Sequence, residues 1–572
     1  MIRLPANNKV NAAIKWIVYL GLLAWVGILL AQKIDLTTAD LGRHIANGSM
    51  ILRSAADRDG VLHTNFYSYT MPSQPFINHH WLSGVVFYLI WKSFGFAGLS
   101  VWSVSFGVIA FALFFDVARR AGQFWIASAI SFCVMPLITA RSEVRPEAFT
   151  YFLTGLFLWF LWQHRSGRAG RKWLYGLPPL VSLWVNLHIG FVFGFLVLGG
   201  FLLDAAVGLV MSRARLHQKA KDFSSRAKTA GKASRRAAAG AGKATQGTIE
   251  AVRNGQADRL KQLAAVSLLC AVAGLVNPFF IRGFLYPLSI FESYGYTVAE
   301  NQSIPFLEAL GLGGNQIFLL FQLAAAALIV SGILVAIRTF QKLDVALLTP
   351  ALASAVMAYF AIRNFITFAL FAVPALTGAV SATAGASSGK RISFRDIILI
   401  PVAVVAVAAA SLQQYQEFQQ MRPTLGLGLL PGVDASADFF RQSQIAGPVF
   451  NDYDIGGYLI YKLSMDGPNP RVFVDNRPEA YTPDFLRDVY IRAQTDETAW
   501  HQLDSRYRFN AIFFSRRDST AWGKAFLANR ANDSAWAPVF ADDYNIILLR
   551  RDNLGNAEVI RKHSFAVRAP DQ

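Results

Sequence analysis

Of 572 residues, 54% are hydrophobic and only 16% charged, with a mean hydropathy of +0.35. Soluble globular chains carry about 25% charge, so a wholly soluble fold is excluded. The net charge of +18 does not point to nucleic acid, because 13 Lys/Arg against three acids are concentrated between Met211 and Gln262, where Phe223 alone offers a ring for base stacking.

Apolar runs of about 18 residues or more, each able to cross a bilayer, recur from position 13 to about 412. The first begins at Ala13 with no small-residue cleavage signal after it, and reads as a retained helix. Eleven spans are expected, near 13–31, 80–115, 122–140, 148–163, 173–190, 191–212, 263–280, 315–337, 344–361, 365–382 and 396–412. Basic loops orient them. Lys9 and Lys15, His164 to Lys172, the basic loop 213–262, Arg338/Lys342 and Lys390/Arg391/Arg395 all fall on the cytoplasmic side. The 80–115 run is long enough for two helices, but two crossings would put Arg119 and Arg120 outside. One net crossing by a bent or partly re-entrant element is therefore expected. Cys133 and Cys270 lie inside apolar runs and read as buried thiols. The basic loop also suits contact with membrane lipid headgroups.

After about 413 the composition changes to charged residues mixed with the alternating runs "RVFVD", "NAIFFS" and "NIILLRRD". These predict a soluble α/β or α+β domain. The expected organisation is a polytopic α-helical membrane domain, 1–412, with an outer first loop at 32–79, followed by an extracytoplasmic soluble domain, 413–572.

The outer loops hold the residues suited to chemistry. In "TTADLGRHIANG", Asp40 and His44 are four apart and share a face if helical. The plainer reading makes Asp40 an acid at a helix start, worth about 0.5 kcal/mol. In "RSEVRPEAF", Glu143 and Glu147 are also four apart, interleaved with Arg141 and Arg145, and interfacial ion pairs are the alternative. Glu300 is a lone acid in "YTVAENQSIPF", and an acid at the bilayer edge needs a partner, a metal or water. Arg363, in "AIRNFITF", suits phosphate recognition or snorkelling toward headgroups. Asn186 and His188 in "WVNLHIGF" border the site or form a polar turn or helix-packing pair, and His79, before His80 and Trp81, borders the site or anchors the chain at the interface. Acids suit Mg²⁺ or Mn²⁺ and arginine suits phosphate. Together they point to transfer from a lipid-linked donor with a phosphate or pyrophosphate leaving group.

The order of these features resembles the GT-C superfamily of polytopic glycosyltransferases, above all the oligosaccharyltransferase catalytic subunit. Asp40 matches its acid after the first span, Glu143/Glu147 its second acidic motif, and "TVAE" at Thr297 to Glu300 its T-I-x-E loop. "RNFITFALFAVPAL" from Arg363 resembles its arginine-led span, and "NDYDIGGY" from Asn451 its D-Y-G element, followed by "VFVDNR". The last pair also resembles a wider group of bacterial GT-C-like membrane proteins. The resemblance implies that Asp40, one of Glu143 and Glu147, and Glu300 bind a divalent cation, with Asp40 and Glu300 catalytic. It also implies that Arg363 meets the donor phosphate, and that Asp454, Tyr458 and Asp475 shape the acceptor site. Departures are the missing W-W pair, replaced by Asn451-Asp452, an extra residue before Gly456-Gly457, and E-x-x-x-E in place of D-x-D.

The expected protein is an inner-membrane, metal-dependent, inverting transferase. It moves sugar from a polyprenyl-linked donor to an envelope glycan, lipid or protein acceptor on the outer face. The alternatives are a non-catalytic GT-C-like envelope scaffold or glycan-binding protein, and a transporter. A transporter would show inverted repeats, and none is visible.

Overall fold

The computed structural model describes residues 8–38, 40–229, 232–291, 294–312, 316–384, 394–465 and 472–566. Lys390 and Arg391, expected on the inner face, fall outside this set, as do the side chains of 394–406 and of most of 216–249. Among the described residues, five helices are long and apolar enough to cross a membrane: Lys9–Leu30, Trp81–Ala121, Ile189–Arg215, Gln316–Arg338 and Ile362–Thr383. The chain is a polytopic helical membrane protein that ends in a small α/β domain. All eleven expected spans fall largely on helix, though some are short or interrupted. The 122–140 run is split at Val134 into Phe124–Cys133 and Met135–Ile138.

The doubtful 80–115 run is one 41-residue helix, Trp81–Ala121, broken at Gly95, whose φ of 62° suits a residue without Cβ. Its first part lies against the helix Leu41–Arg53, where Gly48 meets the Gly84 carbonyl so closely that neither position has room for a methyl. Its second part ends at Arg119 and Arg120, both paired with Asp116. The break at Gly95 makes the run a bent element.

Two expectations change. The basic segment expected as a loop is helical, within Val192–Thr229 and Lys232–Gly274, because Ala, Lys, Arg and Gln favour helix locally. The helix Phe394–Met421 runs past the expected boundary at 413, so the α/β domain begins after Met421.

That domain is a four-stranded sheet of order β1-β2-β4-β3, with β1 Val449–Asn451, β2 Ala511–Ser515, β3 Trp536–Ala541 and β4 Asn545–Arg550. β1 runs parallel to β2, and the other two pairs are antiparallel. "NAIFFS" and "NIILLRRD" supply β2 and β4. Among the described residues, the 472–475 part of "RVFVD" forms no ladder strand; its Val472 makes a single bridge to Ser68 in the first loop. Phe450, Trp500, Phe509 and Phe526 fill the core beneath the sheet.

The α/β domain is seated directly on the first loop. Gln32 and Ile34 bridge to Leu425 and Leu429, Asn65 donates to the Ala480 carbonyl at 2.9 Å, and Arg517 pairs with Asp35 at 2.8 Å. The helix Gly456–Ser464 crosses Leu41–Arg53 at Gly42, where an added Cβ would lie 2.9 Å from the Gly457 carbonyl oxygen. Glycine on both helices is what brings the α/β domain down onto the turn that carries Asp40.

Candidate active site

Asp40 precedes the helix Leu41–Arg53 but does not cap its backbone. Its Oδ2 accepts from Arg43 Nη2 at 2.7 Å and lies 3.2 Å from His44 Nε2. Helical spacings of three and four bring both groups back over the first turn. Asp40 Oδ1 is buried and, among the described residues, has no hydrogen-bond partner. Burial pushes this carboxyl up, but His44, Arg43 and Arg145 outweigh it and hold it well below the usual carboxylate range. Burial lowers His44 against the pull of Asp40, so a neutral imidazole donates through Nε2. One oxygen is held by two donors; the other is free.

Asp40 opens on a cavity of about 550 Å³ between the membrane helices and the α/β domain. The membrane-side wall carries Arg43, His79, His80, Arg145, Glu147, Glu300, Asn301 and Arg363. Glu300, in the turn Ala299–Asn301, accepts from Arg141 Nη2 at 2.6 Å and Arg145 Nη1 at 3.3 Å. Arg363 donates to Asn301 Oδ1 at 2.8 Å and to Glu147 Oε1 at 3.4 Å. The turn Ile362–Asn364 is thereby tied to the Glu300 loop, with the Ile362 amide donating to the Gln302 carbonyl at 3.3 Å. Burial would lower Arg145, yet Glu300, Asp40 and Glu147 around it keep its guanidinium charged. Every acid on this wall meets a guanidinium.

The opposite wall comes from the α/β domain and carries Tyr453, Asp454, Asn476, Pro478, Glu479, Ser515 and Arg517. Arg517 is occupied by Asp35 and stacks on Tyr544 at 4.1 Å. Among the described residues, Asp454 and Glu479 have no ion-pair partner. Burial, with Asp518 beside it, pushes Asp454 up to about 6. Burial likewise raises Glu479 against the charges of Arg43 and Arg477.

Six of the residues singled out from sequence line this one cavity: Asp40, His79, Glu147, Glu300, Arg363 and Asp454. The other six do not. Glu143 lies before the helix Glu147–Arg165 begins, so its spacing from Glu147 is not a helical face. It borders a smaller recess of about 40 Å³, among Leu30, Gly107, Ile138 and Leu370, whose lining shares Arg145 and Glu147 with the main cavity. Tyr458 is buried, its hydroxyl against Ser436 Oγ and the Ala437 amide. Asp475 is fully buried and held by Arg477 at 2.7 Å and by the Tyr481 hydroxyl at 3.1 Å. It positions the stretch that carries Asn476 and Glu479; it does not touch the cavity itself. Asn186 ties helices together, accepting from Trp81 at 2.9 Å and donating to the Ser182 and Val276 carbonyls at 2.7 Å.

His44 and His188 stand behind the wall. His80, which lines it, lies edge-on to His44 at 5.4 Å and stacks on His188 at 5.0 Å. His188 Nδ1 accepts from the Gly190 amide at 3.0 Å and lies 2.7 Å from Thr150 Oγ1, so its proton sits on Nε2. Burial lowers His79 to about 3, so this imidazole is neutral at pH 7.

Sequence reasoning missed Arg43, Tyr453 and Glu479 as site residues. Arg43 had a signal, since it shares the first helical turn with Asp40. Glu479 had none, because only the buried Asp475–Arg477 pair turns its loop toward the cavity. Asn451, the first of the two residues that stand in place of the W-W pair, is a buried staple: its Nδ2 donates to the Val474 carbonyl at 2.7 Å and its Oδ1 accepts from the Phe473 amide at 2.8 Å.

The donor set does not fit the divalent cation implied by the resemblance. Asp40, Glu147 and Glu300 are each engaged by guanidinium groups, and Glu143 lines the smaller recess and not the cavity that holds Asp40 and Glu300. Among the described residues, no group of three or more His, Cys, Asp or Glu side chains is placed to hold a metal ion.

No family model matches the chain, and no curated protein matches it in sequence. Among solved structures, it is similar to ArnT from Cupriavidus metallidurans in the apo state, at 12% identity and a TM-score of 0.45, over 94% of this chain and 98% of that one. It is similar also to the same protein bound to undecaprenyl phosphate, at 13% identity and a TM-score of 0.42, over 97% and 99% of the two chains.

Proposed function

We propose that the chain is a GT-C-like membrane glycosyltransferase that moves a sugar from a polyprenyl phosphate or pyrophosphate donor to an envelope acceptor on the outer face. The observation that carries this reading is the asymmetry of Asp40. One carboxylate oxygen is fixed by Arg43 and His44, and the other is unpartnered beside a cavity whose membrane-side wall is set with arginines. The free oxygen takes the proton of an acceptor hydroxyl as that hydroxyl attacks the anomeric carbon. The bond from that carbon to the phosphate oxygen breaks, and the leaving phosphate takes up the electron pair. Arg145 and Arg363 meet the charge that grows on it, in a site where guanidinium–phosphate contacts are strong. Glu300 and Glu147 hold those arginines in place, so their role is to position cations.

His44 positions Asp40 and does not react. In this orientation the α/β domain lies on the outer face, where the first loop and the acceptor are. Deleting the gene tests the reading: mass spectrometry of extracted lipids should show a lipid-linked sugar accumulating, with its envelope product missing. An unchanged lipid and glycan profile would overturn the assignment and favour a non-catalytic glycan-binding protein.

A further inference from the structure

The two walls of the cavity differ in a way that the proposed reaction does not use. On the membrane side each acid has a guanidinium partner. On the α/β side Asp454 and Glu479 have none among the described residues, and Arg517 is turned away to Asp35. Two more groups on that wall are polar and unused. Tyr453 is only 4% exposed, yet its hydroxyl has no hydrogen-bond partner. Asn476 Oδ1 is buried and equally unpartnered. A buried polar group without a partner costs about 1–3 kcal/mol, which a ligand's hydrogen bonds would relieve. The ring of Tyr453 is fixed by stacking on Tyr296 with centroids 4.0 Å apart, and its amide donates to the Tyr490 hydroxyl at 2.8 Å. The unpartnered hydroxyl is therefore held in place by the surrounding structure.

We propose that Tyr453, Asp454, Asn476 and Glu479 form the acceptor subsite, and that it selects a polyhydroxyl acceptor that is uncharged or bears an amine, and rejects a phosphorylated or carboxylated one. Carboxylates and an amide oxygen accept hydrogen bonds from hydroxyl or ammonium groups. The same carboxylates repel an anionic acceptor, and unpaired like charges at short range suppress wrong partners. The arrangement keeps donor and acceptor apart by charge: phosphate goes to the arginine wall, and hydroxyls go to the acid wall. Asp40 stands at the junction, with its Cα 3.5 Å from the Cβ position of Gly457 on the α/β side. This subsite rests on the proposed transferase reading for its name, but its ligand chemistry does not.

The test uses the full chain in lipid nanodiscs, with two probes read separately. The first is an array of defined glycans, grouped as neutral, amino-bearing, and phosphorylated or uronate-containing. The second is undecaprenyl phosphate, read by native mass spectrometry. Neutral or amino-bearing members should be retained, and Glu479→Gln and Asn476→Ala should each weaken that retention about tenfold without changing undecaprenyl phosphate binding. Retention of the anionic members in preference, retention of none, or retention indifferent to both substitutions would each overturn the subsite. If glycan binding behaves as expected while undecaprenyl phosphate does not bind, the subsite stands and the polyprenyl-donor reading falls.

Discussion

The cavity has two walls built by different principles. The membrane-side wall is a lattice of ion pairs in which Arg141, Arg145 and Arg363 cross-link Glu147 and Glu300. Among the described residues, the α/β wall leaves Asp454, Glu479, Asn476 Oδ1 and the Tyr453 hydroxyl without such partners. Paired charges in a partly buried site are rigid and already stabilised, so they hold a ligand's charge at little reorganisation cost. Of the unpaired groups, the buried Tyr453 hydroxyl and Asn476 Oδ1 are raised in energy until a ligand satisfies them. The lesson is that counting acids in the loops misleads: the same residue type serves as scaffold on one wall and as contact surface on the other.

Asp40→Asn is the largest expected break in this comparison. It preserves shape and the Arg43 contact but removes the base, and transfer should fall at least about a hundredfold with the fold intact. Circular dichroism and thermal unfolding check the fold beside the rate. Arg363→Ala should come next. It removes one phosphate contact and leaves Glu147 with only the distant Arg141 at 3.9 Å, so affinity for polyprenyl phosphate should drop about tenfold or more. Equal affinity in the variant would separate the arginine wall from donor binding.

A pH profile sharpens the contrast further. Asp40 is held well below the usual range, so it stays ionised and contributes no acid limb near neutrality. Asp454 is pushed up to about 6 by burial and by Asp518. Its protonation below that pH removes a hydrogen-bond acceptor, so KM for the acceptor should rise as pH falls through about 6. Asp454→Asn should flatten that limb while the rate at saturation is spared. Gly42→Ala tests the seating of the two domains, because its Cβ would meet the Gly457 carbonyl oxygen and Tyr461 Cβ, both at 2.9 Å. Overpacking of this kind costs about 1–3 kcal/mol, read as a lowered Tm. The smallest expected effect is that of a chelator. With every membrane-side acid engaged by guanidinium, EDTA should leave transfer unchanged, and a loss restored by Mg²⁺ would contradict the arginine-wall account.

Much of the architecture was legible because bilayer physics is strict about length and charge. The run at 80–115 reads as one bent element because two crossings would put Arg119 and Arg120 outside, and the helix Trp81–Ala121 does break at Gly95. The site was legible where a residue is placed by its own local sequence. Asp40 follows the first span and precedes a helical turn, and Arg363 opens a helix. It was not legible where tertiary pairing decides. "VDNR" cannot reveal that Arg477 folds back on Asp475 and buries it, and so leaves Asn476 and Glu479 facing the cavity. Glu143 and Glu147 look equivalent until Pro146 starts the helix between them. Nor does spacing show that Arg141 and Arg145 reach Glu300 across more than 150 positions of chain.

The most direct test of the central claim measures release of free polyprenyl phosphate. The purified full chain is mixed with extracted lipid-linked sugars and envelope glycan, and release is followed by mass spectrometry. The wild-type protein should release it. Asp40→Asn should bind the lipid-linked sugar and release almost none. Release by Asp40→Asn at the wild-type rate would contradict the assignment of its free oxygen as the base.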